Sequence, residues 1–300
     1  MPEYSNTIRE LLESGVHFGH QTNKWNPKMG KFIFGEKSGI YIIDLKKTEE
    51  ALNKAIEFLY RITSSGKTVL FVGTKKQAKQ IIRDEAQRCE MFFVDERWLG
   101  GCLTNFATIR KSVDKLNKLQ EMKGGEIYTT LSKKEKANLD RDERKLLNNL
   151  GGIRTMERVP DCLVVVDAEA EEIAIKEARK IGMPVIALLD TNCDPNMVDY
   201  PIPGNDDAIR SIQYIISRLA DSAEKGYREF MGKSATVREE KTVPVTETKQ
   251  AKNPDAAVLE KEETKAAEPA ATEEKNDIGE NDIASSTTVD GDIKLDATEE

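Results

Sequence analysis

The sequence predicts an α/β fold: a parallel sheet doubly wound by helices, an inserted antiparallel helical (coiled-coil) hairpin, and a disordered acidic C-terminal tail. Three observations carry this expectation. Short apolar runs (Val69–Val72, Met91–Val94, residues 161–166 and Val185–Leu189) alternate with amphipathic segments. That is the pattern of strands covered on both faces and linked by helices. Between the second and third runs lie two helical periods and little else. Residues 234–300 contain no Phe, Tyr or Trp and carry 8 Lys/Arg against 18 Asp/Glu. Such a segment buries too little apolar surface to offset its ordering entropy.

The elements follow in order. Thr7-Ile8-Arg9-Glu10 has capping-box spacing, so a short helix through Leu11 and Leu12 is expected, ending at Gly15. The stretch Gly15 to Met29 mixes cations, amides and aromatics and reads as an ordered loop that touches something. Phe32–Phe34 and Ile40–Ile43 read as two strands around a turn at residues 35–39. Asp44 is placed to cap a helix with Leu52, Ala55, Ile56 and Leu59 on one face. Ser64-Ser65-Gly66 ends it.

After Val72, Gly73 turns the chain and Thr74-Lys75-Lys76-Gln77 opens a helix with capping-box spacing. Phe106, Ile109, Val113 and Leu116 step by 3, 4 and 3, a heptad-like seam. Gly124-Gly125 ends that helix, and Ser132-Lys133-Lys134-Glu135 starts its partner, with Leu139, Leu146 and Leu150 along it. Residues 105–150 hold 11 Lys/Arg and 7 Asp/Glu, which suits charged outer faces. Asp167 is placed to cap a helix from Ala170 to Ile181, stopped by Gly182 and Pro184. A last helix starts near Asp206 and uses Ile209, Ile212, Ile216 and Leu219.

Two units are therefore expected: an α/β domain over residues 1–233, containing the hairpin at 105–150, and the tail at 234–300. The net charge of −8 over 300 residues hides this division, because the tail contributes −10 and leaves +2 for the domain. The domain's charge excludes a uniformly basic nucleic-acid surface but allows a patchy one. The four cysteines are far apart and form no Cys-x-x-Cys, so buried reduced thiols are expected rather than a metal site. The first residues, Met-Pro-Glu-Tyr-Ser, carry no apolar run, and no secretory signal is expected. No run approaches about 18 apolar residues, so no membrane span is expected.

Three places invite an enzymatic reading. Val72-Gly73-Thr74-Lys75-Lys76 puts a glycine and a helix N-terminus after a strand, where backbone N–H groups meet anions. Neither Gly-x-x-x-x-Gly-Lys-Ser/Thr nor Gly-x-Gly-x-x-Gly is present, and an ordinary strand-to-helix turn accounts for the segment. His17 and His20 have His-x-x-His spacing, but they are the only histidines, and no cysteine is near them in sequence. Structural hydrogen bonding or stacking explains them better than a metal. Asp167 and Asp190, with Asp194 just beyond, sit at predicted strand ends, where doubly wound sheets bind ligands. A Mg²⁺ site there competes with plain helix capping and turn formation. No Ser/His/Asp order or Cys/His nucleophile stands out. No catalytic residue, metal or cofactor is expected.

The binding evidence is stronger. Phosphate contacts draw on cations and amides, and base contacts on aromatics and Arg. Both tryptophans lie in glycine-containing stretches beside cations. One is Trp25, with Gln21, Lys24, Asn26, Lys28 and Lys31 around it. The other is Trp98, in Arg97-Trp98-Leu99-Gly100-Gly101-Cys102-Leu103-Thr104-Asn105-Phe106, followed by Arg110 and Lys111. A core position for Trp98 at the hairpin base is the competing reading.

Gly15-Val16-His17-Phe18-Gly19-His20-Gln21-Thr22, with Trp25-Asn26-Pro27-Lys28-Met29, resembles the N-terminal signature of the small-subunit ribosomal protein S-two family in its bacterial form. The resemblance continues in Phe71-Val72-Gly73-Thr74-Lys75-Lys76-Gln77-Ala78, in Arg97 to Asn105, in Val164-Val165-Val166-Asp167, in Asp190-Thr191-Asn192-Cys193-Asp194-Pro195 and in Ile202-Pro203-Gly204-Asn205-Asp206-Asp207-Ala208. It spans residues 8–230 and leaves out the tail.

The resemblance implies a non-enzymatic, cytoplasmic ribosomal protein with a flavodoxin/Rossmann-like sheet and a protruding coiled coil. It implies binding to small-subunit ribosomal RNA and contact with neighbouring ribosomal proteins, including recruitment of ribosomal protein S-one. Neither membrane association nor a homo-oligomer is implied. The family's RNA contacts carry over to His17, His20, Gln21, Lys24, Trp25, Asn26, Lys28, Lys31, Arg97, Asn105, Arg110 and Lys111. Asn23 stands where many members have a further cation. The alternative is a nucleotide- or sugar-phosphate-binding enzyme of doubly wound fold.

Overall fold

The computed structural model describes residues 6–125, 128 and 130–241, with side-chain placement as far as residue 233. The expected disordered tail lies, from residue 242 on, outside the described residues.

Strands β4 (Val69–Val72), β5 (Phe92–Val94), β6 (Cys162–Val166), β7 (Val185–Leu189) and β8 (Tyr200–Pro203) form one sheet in the order β5-β4-β6-β7-β8. Every neighbouring pair is parallel. The four apolar runs of the sequence are its four strands nearest the N-terminus, and β4, β6 and β7 are buried at every residue. The fifth, Tyr-Pro-Ile-Pro, was not expected as a strand, because proline cannot donate to a ladder. It is tolerated at the sheet edge, where β8 pairs with β7 alone.

Side chains alternate across each strand, and two apolar clusters result. Phe71, Val164, Val166 and Leu188 meet α1 (Asn6–Glu13), α2 (Leu45–Thr63), α3 (Lys79–Arg88) and α7 (Ile209–Lys241) on one face. Leu70, Val72, Val165 and Ala187 meet α4 (Phe106–Gly124), the end of α5 (Lys133–Leu150) and α6 (Glu172–Lys180) on the other. The sheet is thus wound on both sides, as the alternation predicts. The helices α4 and α5 fill the gap between β5 and β6. They touch each other, and Lys123 of α4 pairs with Asp140 at 2.6 Å and with Glu143 of α5. The Ser132 capping box forms as its spacing predicts.

The N-terminal stretch is more regular than a loop. Phe18–Gln21 is a strand, β1, in a small antiparallel sheet of order β1-β3-β2 with β2 (Ile33–Lys37) and β3 (Ile40–Ile43). Two short 3₁₀ turns, Thr22–Lys24 and Pro27–Phe32, link β1 to β2. The β2–β3 turn is Ser38-Gly39, with φ of 55° and 77°, shorter than the five-residue turn expected. Positive φ at both positions matches the twist of a two-residue hairpin.

Helix starts differ from expectation at four places, one of them α6, which begins at Glu172 rather than Ala170, while Asp167 accepts from the Glu169 and Ala170 N–H groups of the turn ahead of it. Helix α1 already includes Thr7, and Glu10 reaches Tyr214 and Arg218 instead of closing a box. Thr74–Gln77 precedes α3, which begins at Lys79. Helix α7 begins at Ile209, with that side chain exposed, and Asn205 accepts from the Asp207 and Ala208 N–H groups ahead of it. The helix runs through position 233 and ends at Lys241.

Candidate nucleic-acid interface

The strand order places the sheet's topological switch point between β4 and β6, where such folds bind ligands at the carboxyl ends. Here the chain's own side chains occupy that crevice. Lys75 turns inward, 3.0 Å from Asp167, 2.5 Å from Asp206 and 2.7 Å from Asp207. The Thr74 N–H, which would face a phosphate in a nucleotide-binding relative of this fold, donates to Glu171 at 3.0 Å. Burial raises the Glu171 carboxyl above its ordinary pKa, an effect the Thr74 contacts oppose.

Asp206 is fully buried and has one carboxylate oxygen without a partner. Burial, with the negative charges of Asp167 and Asp190, pushes it up to about 7 against the pull of Lys75. Burial opposes charge on Lys75, but the surrounding carboxylates hold its ammonium above the ordinary value.

His20 closes the crevice from β1. Its Nδ1 lies 2.9 Å from Asp190 and its Nε2 3.6 Å from Asp207. The Asp190 hydrogen bond raises its pKa against the cost of burial. The His20 backbone N–H also donates to Asp190 and Thr191. Donor atoms of His20, Asp206 and Asp207, and of Asp167, Cys193 and Asp206, lie within 4.8 Å of one another. Among the described residues, these are the sets that could hold a metal ion. Burial pushes the Cys193 thiol up to about 12, and the Lys75 ammonium already supplies positive charge to the same carboxylates.

The twelve predicted interface residues divide by environment. His17 does not accompany His20. It precedes β1, packs against Phe18 with the rings tilted by 39° and centroids 4.0 Å apart, and lines an apolar groove with Leu12 and Phe34. Its Nδ1 is buried without a partner, and burial lowers its pKa. Trp25 is 37% exposed and leans on Tyr41, with ring centroids 5.1 Å apart. Asn26 works on the backbone: its side chain accepts from the Lys28 N–H, and its own N–H donates to Thr191. Lys28 pairs with Asp194 at 2.5 Å. Lys31 is exposed beside the Phe32 ring. Asn105 is exposed and accepts from Thr108. Arg110 donates to the carbonyls of Arg154 and Met156 at 3.1 and 3.0 Å. It fastens the base of α4 to the segment after α5.

Gln21, Lys24, Arg97 and Lys111 are exposed. The three cations among them form no ion pair among the described residues. Trp98 is 8% exposed and belongs to the core, as its competing reading proposed. Met29 of the first stretch and Trp98, Cys102 and Leu103 of the second are buried in the same apolar cluster. Both stretches therefore have an anchor on that face of the sheet, and Val16 ties the start of the first to the opposite cluster. No local signal marks Glu177, which accepts from Trp98 Nε1 and from three backbone N–H groups of the second stretch.

The chain matches the model of the family Ribosomal protein S2 over residues 11–226. It is 55% identical over 220 residues to the small ribosomal subunit protein uS2 of Koribacter versatilis, covering 73% of each chain. It is 52% identical over 231 residues to that of Dictyoglomus turgidum, covering 77% of this chain and 94% of the relative. The protein of the same name from Geotalea uraniireducens is 52% identical over 220 residues, 73% of this chain and 86% of its own.

Proposed function

The chain belongs to the ribosomal protein S2 family, and from that premise we propose that it binds small-subunit ribosomal RNA through the face carrying Lys24, Arg97 and Lys111. It is a bacterial small-subunit component of the cytoplasmic ribosome and not an enzyme. The observation that supports the RNA reading is the set of exposed cations on two stretches anchored in one apolar cluster. Rigid anchoring lets flexible cations meet a backbone without ordering a whole loop.

The set is narrower than the sequence suggests. Lys24, Arg97 and Lys111 take phosphates, and Gln21, Trp25, Lys31 and Asn105 line the same contact. Lys28 and Arg110 serve the protein's own structure first. His20 holds the stretch in place, and His17 faces the apolar groove. There, the exposed Leu12 and Phe34 support contact with a protein neighbour, and ribosomal protein S-one is the neighbour proposed. Helices α4 and α5 are read as an antiparallel coiled-coil hairpin, with Lys111 near its base. The nucleotide-binding alternative is not favoured, since Glu171 already takes the Thr74 N–H.

The test is filter binding of the full chain to a small-subunit rRNA transcript over a range of salt. Replacing Lys24, Arg97 and Lys111 together by alanine is expected to weaken binding and to flatten the log–log salt slope by about 2–3. An unchanged slope would remove those three as phosphate ligands. Lys28→Ala is expected to change the slope little.

A further inference from the structure

Glu177 sits in α6, 8% exposed, 73 to 79 residues from the groups it binds. One carboxylate oxygen accepts from the Trp98 indole at 3.1 Å and the Gly101 N–H at 2.7 Å. The other accepts from the Leu103 N–H at 3.0 Å, the Thr104 N–H at 3.2 Å and the Thr104 hydroxyl at 3.1 Å. Five donors converge on one side chain, and among the described residues it pairs with no cation. The chemistry is specific to a carboxylate. An amide has a single acceptor oxygen, and its NH₂ would face the Leu103 and Thr104 donors.

The segment so gathered turns sharply. Gly101 has φ of 86°, and a Cβ there would stand 3.1 Å from Asn105 Cβ. It runs from exposed Arg97 to exposed Asn105 and enters α4, which carries Lys111.

We propose that Glu177 is a positioning residue for RNA binding, holding the Arg97–Asn105 segment and the start of α4 in the one arrangement that presents Arg97, Asn105 and Lys111 together. The proposal rests on the reading of this face as an RNA surface. Glu177 itself touches no RNA. It replaces hydrogen bonds that water would otherwise make to the segment's backbone, and it does so from a helix packed in the same apolar cluster.

The experiment compares the full-length chain, Glu177→Gln, and Glu172→Gln, which removes the same charge from the exposed side of the same helix. Amide exchange is measured on the free proteins, and affinity on a small-subunit rRNA transcript. Glu177→Gln is expected to speed exchange at Gly101, Leu103 and Thr104, to leave β4 and β6 amides protected, and to bind RNA about tenfold more weakly. Glu172→Gln should do neither. Unchanged affinity alongside faster loop exchange would overturn the proposal, and so would unchanged loop exchange. If Glu177→Gln does not fold, Trp98→Phe and Thr104→Val each remove donors singly. A loss of affinity in both is then expected, and wild-type affinity in both overturns the idea. Absent binding by the wild type itself would instead refute the RNA reading, while the exchange data still report on the loop.

Discussion

At the scale of single residues, the decisive question was which polar side chains face outward. Lys24, Lys28, Arg97, Arg110 and Lys111 look equivalent in the sequence. The structure separates them by partners that are distant along the chain: Asp194 for Lys28, and the carbonyls of Arg154 and Met156 for Arg110. Glu177 is the converse case, an ordinary glutamate in a helical period whose role depends on donors more than 70 positions away. Burial disfavours its charge, but the Trp98 indole and the backbone N–H groups of Gly101, Leu103 and Thr104 outweigh that and hold its pKa below the ordinary glutamate value. A depressed folded-state pKa means stability that is present above the unfolded value and lost as pH falls through the folded one. The stability gap between wild type and Glu177→Gln, followed by denaturant unfolding, should thus be full above about pH 4.5 and shrink below it. A gap that is constant down through this range would show that the carboxylate's charge is not what holds the segment. Local sequence shows the charge of such residues but not the partner that claims it.

At the scale of elements, close packing of α2 against α7 offers a sharp test. A Cβ on Gly226 would fall 2.7 Å from the Tyr60 carbonyl oxygen, 3.0 Å from the Ser64 nitrogen and closer still to the Thr63 hydroxyl. Backbone cannot yield as a flexible side chain can, so Gly226→Ala should cost about 1–3 kcal/mol. Thermal or denaturant unfolding reads this, and a variant as stable as wild type would mean that the two helices can separate freely. The same scale shows what was legible. Apolar runs named β4, β6 and β7 because strands buried on both faces need no alternation, and a similar run named β5, a partly buried edge strand. Strand β8 was missed because its two prolines argue against a strand, while an edge position leaves the missing donors harmless. Strand β1 was missed because Phe-Gly-His-Gln carries a binding signature rather than a strand pattern. The capping-box spacing at Thr74 misled because Lys75 and Thr74 are drawn to carboxylates beyond the local turn. Ser132, with no such competitor, formed its box.

For the whole molecule, a doubly wound sheet of the ligand-binding kind has had its crevice filled by its own Lys75, Glu171 and His20, and its outward chemistry lies on two anchored stretches beside it. The sequence conveyed the architecture well, since alternation of buried strands and amphipathic helices is a global pattern. It conveyed the candidate interface as a neighbourhood and left open which of its cations face outward, because that depends on packing between distant segments. No helix among the described residues is long and apolar enough to cross a membrane. The central claim is that this face meets RNA in the assembled small subunit. The most direct measurement is protein–RNA crosslinking of purified subunits with residue-level mass-spectrometric readout. Crosslinks to ribosomal RNA at Lys24, Arg97 and Lys111, with Lys28 weakly represented, are the predicted result. RNA crosslinks confined to other faces of the sheet, with these three protected only by protein, would contradict it.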